Sequence, residues 1–325
     1  MVAAMDVVGN PSSVHAEGRD AKMLVERARA QVANALGAEG ADIVFVSSAT
    51  EAAALACAGH DLLGAAIEHD AVAAWTTEAL TVDHAGQVRV DAPGQSVLQA
   101  ANSETGVLQA LPEGIAVSDM TQAFGKLAIS FEDSGASMAL VSAHKLGGPK
   151  GVGALVLRRG LDVVARIRGG GQEMGRRSGT ENVIGIAGFG AAAEAAHHDV
   201  VAGKWHRIEK LRNILESALA AASNATIFVG KESQRLPNTT CFATPGWKGE
   251  TQVMQMDLAG FAISAGSACS SGKVKASRVL TAMGLGDVAA NAIRVSLGLE
   301  TTEQDVMRFA EVWAQKLKKH EARAA

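Results

Sequence analysis

Short apolar runs alternate along the chain with longer stretches whose apolar residues recur at helical spacing. Between residues 14 and 36 they fall every three or four positions, which predicts a helix that Gly37 ends. The apolar run at 43–46 predicts a strand, and an Ala-rich helix begins after it. Further strands are predicted at residues 65–67, 96–100, 115–117, 138–141 and 154–157. This alternation indicates an α/β fold with a mostly parallel sheet flanked by helices.

The pattern changes in the last third of the chain. Residues 183–222 are mostly helical, and short predicted strands and helices follow up to a charged amphipathic helix that begins at Glu303. This mixture indicates a smaller α+β unit. We therefore expect a large domain at residues 10–200 and a small C-terminal domain at 201–325, with residues 1–9 packing with the small domain.

Charge and composition exclude several functions. The 325 residues carry a formal net charge of −4, without the basic patch that nucleic-acid binding needs. No apolar run reaches the roughly 18 residues of a membrane span, and no signal peptide is evident. The nine histidines show no metal-binding spacing, so no metal site is expected. The three cysteines form no C-x-x-C pair, which favours a reducing cytoplasm.

Polar residues follow several of the predicted strands. Lys145 comes just after one of them, and a lysine buried there suits Schiff-base chemistry, although a solvated surface turn is an equal alternative. Asp119 also follows a strand and could pair with a pyridinium nitrogen or simply cap a helix. Thr50 opens a helix, where the free N–H groups either bind an anion or are capped.

One cysteine differs from the other two in the residues that surround it in sequence. Cys57 and Cys241 sit among apolar residues, as buried structural cysteines do, whereas Cys269 lies in a small polar loop at 264–272. This setting makes Cys269 the candidate nucleophile, and a free surface thiol is the alternative.

These pieces together resemble the cysteine desulfurases, of the class V aminotransferase group of pyridoxal-phosphate enzymes. The matching motifs include Ser-Ala-His-Lys at 142–145, Arg-Ser-Gly-Thr-Glu-Asn at 177–182 and Gly-Ser-Ala-Cys at 266–269. Seven more matches follow the family's order, at 9–15, 48–51, 68–69, 102–106, 119–126, 169–173 and 293–298. The resemblance implies the fold type I architecture of pyridoxal-phosphate-dependent transferases, with the cofactor on the large domain.

The resemblance also implies a role for each matching residue. Lys145 would hold pyridoxal 5'-phosphate covalently, with His69 stacked on its ring. Asp119 would pair with the ring nitrogen, and Gln122 and the residue at position 103 with the phenolic oxygen. The phosphate would be held by Ala49, Thr50, Ser142 and His144, joined by Thr180 from the second subunit of a homodimer.

The implied reaction converts L-cysteine to L-alanine. Arg294 would bind the substrate carboxylate, and Cys269 would take the sulfur as a persulfide and pass it to an acceptor protein, for iron-sulfur clusters or another sulfur-transfer pathway. The alternatives are a class V relative with another reaction, such as selenocysteine lysis or transamination, and a weakly active homologue that binds a partner.

Two residues depart from the family pattern. Ser103 stands where the family has Asn, and Met174 where Arg is common. A serine hydroxyl is shorter and offers one donor, so we expect a weak enzyme or one that a partner chain completes.

Overall fold

The computed structural model describes residues 1–266 and 276–324. The helices are α1 Val2–Met5, α2 Ala16–Leu36, α3 Ala49–Cys57, α4 Asp70–Ala73, α5 Val183–Val201, α6 Lys204–Ala222, α7 Gly249–Asp257, α8 Arg278–Ala282 and α9 Glu303–Ala324. The strands are β1 Ala41–Val46, β2 Leu62–Ala65, β3 Thr76–Leu80, β4 Val97–Gln99, β5 Val117–Asp119, β6 Met138–Ser142, β7 Gly153–Arg158, β8 Ile227–Phe228, β9 Thr239–Ala243, β10 Ser264–Ala265 and β11 Ala292–Ser296.

The chain divides into two compact units. The first contains Met1–Leu80, Val90–Ala101 and Gln109–Ala202, and the second contains Thr81–Arg89, Asn102–Leu108 and the residues from Gly203 onward. The expectation that residues 1–9 pack with the small domain is not met. These residues belong to the first unit, because α1 packs against α5.

The first unit is built on a five-stranded sheet in the order β1-β7-β6-β5-β4. Strands β4, β5 and β6 pair in parallel, whereas β7 is antiparallel to both β6 and β1. Four of the five strands therefore run in one direction and β7 opposes them, which confirms the mostly parallel sheet. Beside β4, a parallel bridge joins Leu63 to Ser96, and β2 pairs in parallel with β3.

The interior of this sheet is apolar, as a strand covered on both faces requires. The buried core comprises side chains of α3 and of the central strands, among them Val44, Leu55, Val117, Leu140 and Leu155. On another helix, α2, small and branched residues are buried at helical spacing, and its end is fixed by Gly37 in the left-handed conformation at φ 60°. The segments with the regular hydrophobic pattern thus fold into the predicted helix and the predicted strands.

The second unit contains an antiparallel sheet in the order β10-β11-β9-β8. Its core contains an aromatic cluster: Trp313 of α9 meets Phe242 of β9 edge to face at 5.6 Å and lies 5.7 Å from Trp247. The Trp313 indole donates to Gln252 Oε1 at 3.1 Å, so its one polar atom is satisfied. The amphipathic C-terminal helix is therefore tied to the sheet through one fully buried side chain.

The described part of the chain contains no helix long and apolar enough to cross a membrane. Within the same residues, His, Cys, Asp and Glu side chains form no cluster that would hold a metal ion.

Candidate functional site

The carboxyl ends of β5 and β6 share one edge of the first unit's sheet. The two strands are parallel, with Asp119 opposite Leu140, and β6 ends two residues later at Ser142. Asp119 Oδ1 accepts a hydrogen bond from Thr121 N at 2.9 Å, so the carboxylate also fixes the turn that follows it. In open α/β sheets this edge is where ligands bind.

Lys145 ends a short 3-10 turn, Ala143–Lys145, that directly follows β6. The lysine is exposed in this chain, which meets the surface-turn alternative rather than the buried one. The strand ends three residues before it, and the turn carries its side chain beyond the sheet. The backbone is nevertheless held, because Lys126 Nζ donates to the carbonyl oxygens of Gln122 at 2.8 Å and Lys145 at 3.3 Å.

The same turn carries a paired hydroxyl and imidazole. Ser142 Oγ lies 2.9 Å from His144 Nδ1, within hydrogen-bond distance. Burial, together with the positive charges of Lys145 and Lys150, lowers the pKa of His144. The imidazole is therefore neutral at physiological pH, and its ring can serve as a hydrogen-bond partner rather than as a cation.

The start of α3 offers free backbone N–H groups. The N-cap residue Ser48 makes no side-chain capping bond, and Thr50 is exposed on the first turn with Ala49 beside it. Glu51 instead accepts from Ser47 N at 2.7 Å and from Arg177 Nε at 2.8 Å. Ser48 therefore does not cap α3 through its side chain. The N-terminus of this nine-residue helix carries a partial positive charge, which suits an anion.

His69 lies between β2 and α4, where it caps the helix. Its Nδ1 accepts from Ala71 N at 3.1 Å, so in the neutral ring the proton lies on Nε2. The preceding Glu68 is buried and accepts from Gln99 N at 3.1 Å, which ties this corner to β4. The backbone on both sides of the imidazole is therefore fixed.

In the second unit, Arg294 of β11 is held by two contacts. Its Nη1 donates to Ser103 O at 2.6 Å and its Nη2 to Ser264 Oγ at 3.2 Å. Its Nε is buried and has no hydrogen-bond partner among the described residues. A charged group with an unsatisfied buried N–H is suited to a carboxylate ligand, which accepts from guanidinium in a fork.

The neighbour of Ser103, Asn102, is fixed in a turn. Asn102 is 1% exposed, and its Oδ1 accepts from Glu104 N and Thr105 N at 2.9 Å and from the Thr105 hydroxyl at 3.2 Å. The side-chain oxygen of Asn102 is therefore committed to the turn.

Two of the three cysteines are unreactive in this fold. Burial, with a smaller contribution from Glu68 and Asp119, raises the pKa of the Cys57 thiol to about 12. Burial and the charge of Glu104 also raise the pKa of Cys241 to about 12. The third cysteine, Cys269, lies outside the described residues.

Comparisons with known proteins identify the family of this chain. The family model for the class-V aminotransferases matches residues 3–309. A cysteine desulfurase of Cereibacter sphaeroides is 37% identical over 94% of this chain and 87% of its own length. This chain belongs to the cysteine desulfurases. Members of the family are enzymes that depend on pyridoxal phosphate.

Solved structures of related proteins share the fold of this cysteine desulfurase. A NifS-like protein from Rickettsia africae superposes with a TM-score of 0.88 at 32% identity, covering 98% of this chain and 94% of the other. A structure described as SspA in complex with cysteine has a TM-score of 0.74 at 26% identity, with 93% and 95% coverage. The fold type I architecture expected from the sequence is confirmed.

The first unit of this desulfurase has the donor set that pyridoxal phosphate requires. An amine at Lys145 and a carboxylate at Asp119 lie at the ends of adjoining strands. The uncapped start of α3 suits the phosphate, as does the Ser142–His144 pair. The cofactor therefore fits the residues that are present.

The sequence did not reveal two ion pairs that hold the loop after β7. Glu173 pairs with Arg29, and Arg177 pairs with Glu51. Each pair joins residues more than a hundred positions apart, so no local pattern connects them. The available signal was the position of Glu173, an acidic residue that follows the three glycines at 169–171 and Gln172.

Proposed function

We propose that this desulfurase carries sulfur on Cys269 as a persulfide. The Cys269 thiolate attacks the sulfur of L-cysteine, and the carbon–sulfur bond breaks with its electron pair left on carbon. A proton then completes the methyl group of alanine. When bound, pyridoxal phosphate supplies the electron sink that makes this cleavage possible.

The proposal rests on the protonation of the other two thiols. The nucleophile in sulfur transfer is the thiolate, and a pKa of about 12 leaves Cys57 and Cys241 protonated near neutral pH. The chain has three cysteines, so Cys269 is the remaining sulfur carrier.

The other site residues bind and orient the reactants in this proposal. Arg294 binds the carboxylate of cysteine, using the Nε that has no partner within the described part of the chain. His69 would stack on the cofactor ring. Asp119 faces the ring nitrogen, and Gln122 and Ser103 the phenolic oxygen.

Phosphate binding is assigned to two groups of residues. Ala49 and Thr50 at the start of α3 form the first group, and Ser142 with His144 the second. We further propose that Thr180 reaches the phosphate of a second copy in a homodimer. Thr180 is exposed in the single chain, which suits a residue that serves a partner.

The persulfide is proposed to pass to an acceptor protein, for iron-sulfur clusters or another pathway that uses sulfur. A persulfide needs a reducing compartment to turn over, and we assign the protein to the cytoplasm. Cys57 and Cys241 are free thiols, which is consistent with that assignment.

Product analysis with L-cysteine tests the proposal. Wild-type protein with pyridoxal phosphate should form alanine, and with a reductant also sulfide. Cys269→Ser should keep the visible absorbance of the lysine-bound cofactor but lose both products, whereas the matched control Cys57→Ala should retain them. Unchanged sulfide formation by Cys269→Ser would show that another group takes the sulfur.

A further inference from the structure

The loop at residues 169–181 contains one deeply buried carboxylate. Glu173 is 6% exposed and accepts three hydrogen bonds: from Phe45 N at 2.9 Å, from Arg29 Nη1 at 2.9 Å and from Arg29 Nη2 at 3.0 Å. The fork of the guanidinium thus meets both carboxylate oxygens. Such a pair fixes orientation as well as charge.

Arg29 connects this loop to two other elements of the first unit. It lies on α2, donates to the carbonyl of Ile43 on β1, and stacks over the Phe45 ring at 4.8 Å. The loop, the strand and the helix therefore meet at one guanidinium. Removing either member of the pair would leave a buried charge without its partner.

The backbone around Glu173 needs such a clamp. Glu173 and Met174 have φ angles of 49° and 59°, in the left-handed region that side-chain-bearing residues rarely adopt. Met174 is 62% exposed, so its own packing does not hold this conformation. The carboxylate of Glu173 anchors this segment to β1 and α2.

Thr180 lies seven residues farther along the same loop. Between the two residues, Arg177 pairs with Glu51 on α3, at 2.8 Å between Nε and Oε1. The Ser178 hydroxyl donates to Gly170 O at 2.6 Å, which closes the loop on itself. Glu173 and Thr180 therefore lie on one loop that is closed by its own hydrogen bond.

We propose that the Arg29–Glu173 ion pair positions Thr180 for the cofactor phosphate of the partner subunit. Arg29 and Glu173 are positioning residues, since neither contacts the reacting atoms. The inference rests on the homodimer of the proposed function and extends it, because it names the residues that set the loop's conformation.

The first test measures pyridoxal phosphate affinity, which does not depend on turnover. Glu173→Gln keeps the shape of the side chain but not the charge, and should weaken binding about tenfold. Arg29→Lys, which keeps the charge but not the fork, should do the same. The matched control is Glu26→Gln, because Glu26 also accepts from Arg29 but is about half exposed.

A double-mutant cycle separates positioning of Thr180 from general damage. If Glu173 acts through Thr180, the double variant Glu173→Gln/Thr180→Val should bind the cofactor no more weakly than Thr180→Val alone. Additive losses would overturn the proposal. The cycle with Arg29→Lys in place of Glu173→Gln gives the same decision if Glu173→Gln does not fold.

Hybrid dimers test whether the effect crosses the interface. In a hybrid of Glu173→Gln and Lys145→Ala chains, the Lys145→Ala chain lends its intact loop to the Glu173→Gln chain. One tight cofactor site with visible absorbance should therefore return. A hybrid that binds as weakly as the Glu173→Gln homodimer would overturn the proposal. Alanine formation by wild type, measured alongside, tests the desulfurase reaction independently.

Discussion

Alkylation with iodoacetamide at pH 7.5 should modify Cys269 selectively in the folded protein. The reagent reacts with thiolates, so the rate at each cysteine follows the ionised fraction of its thiol. Because the pKa values of Cys57 and Cys241 are raised to about 12, both should react very slowly.

The expected difference follows from these pKa values. An ordinary thiol with a pKa near 8.5 is about 10% ionised at pH 7.5. A pKa of about 12 leaves roughly three thiols in 100,000 ionised, for Cys57 as for Cys241. The ratio of ionised fractions is therefore about 3,000-fold. The greater nucleophilicity of a thiolate with a high pKa offsets part of this ratio, whereas steric shielding adds to it because both side chains are buried.

The assay is a time course of peptide mass spectrometry. Cys269 should be labelled within minutes, while Cys57 and Cys241 react only after unfolding in urea, which is the control for reagent access. After incubation with L-cysteine, the added sulfur should be found on the Cys269 peptide. Labelling of Cys57 or Cys241 in the folded protein at a rate comparable to Cys269 would refute the reasoning.

Three further outcomes are expected. Ser103→Asn should raise the rate of alanine formation about tenfold by restoring a side-chain donor, and a slower variant would contradict the effect ascribed to the serine. Met174→Gly should stabilise the fold by about 1 kcal/mol in urea unfolding, since glycine adopts a positive φ freely; a loss of stability would show that the exposed side chain contributes. Burial raises the pKa of Glu216, but its bonds to Arg235 at 2.8 and 3.1 Å outweigh burial and the net pKa is lowered. The stability from this carboxylate is therefore present above its unfolded pKa and is lost as the pH falls through the folded value. Glu216→Gln should be less stable than wild type at pH 7 but should lose less stability on acidification. Thermal unfolding at pH 7 and at an acidic pH would show this.

The sequence predicted the elements whose apolar residues repeat regularly. The helix ending at Gly37 and the strands β6 and β7 appear at or near the expected residues, because burial on one face or on both imposes a strong period. β3 was not predicted. Its residues are half-exposed or exposed, so it carries no apolar alternation for a pattern to detect.

Site residues could be found when the chemistry lay in a local motif. Lys145 and Asp119 follow strands, and their neighbourhood at one sheet edge results from parallel pairing. The sequence left both burial and exposure of Lys145 open, because its exposure depends on where β6 ends rather than on composition. The bond from Arg294 to Ser103 joins positions 191 residues apart, and such contacts arise only from the tertiary fold.

The position of β1 in the sheet affects how the protein is made. β1 pairs in the sheet only with β7, which leaves the ribosome about a hundred residues later. Protein synthesis proceeds at roughly 5–20 residues per second, so the segment Ile-Val-Phe-Val at 43–46 is without its partner strand for about 5–20 seconds. The hydrogen bond from Phe45 N to Glu173 also forms only after Glu173 has been synthesised. During synthesis this apolar strand is a natural target for a chaperone, and slowing translation between β1 and β7 should increase aggregation of the nascent chain.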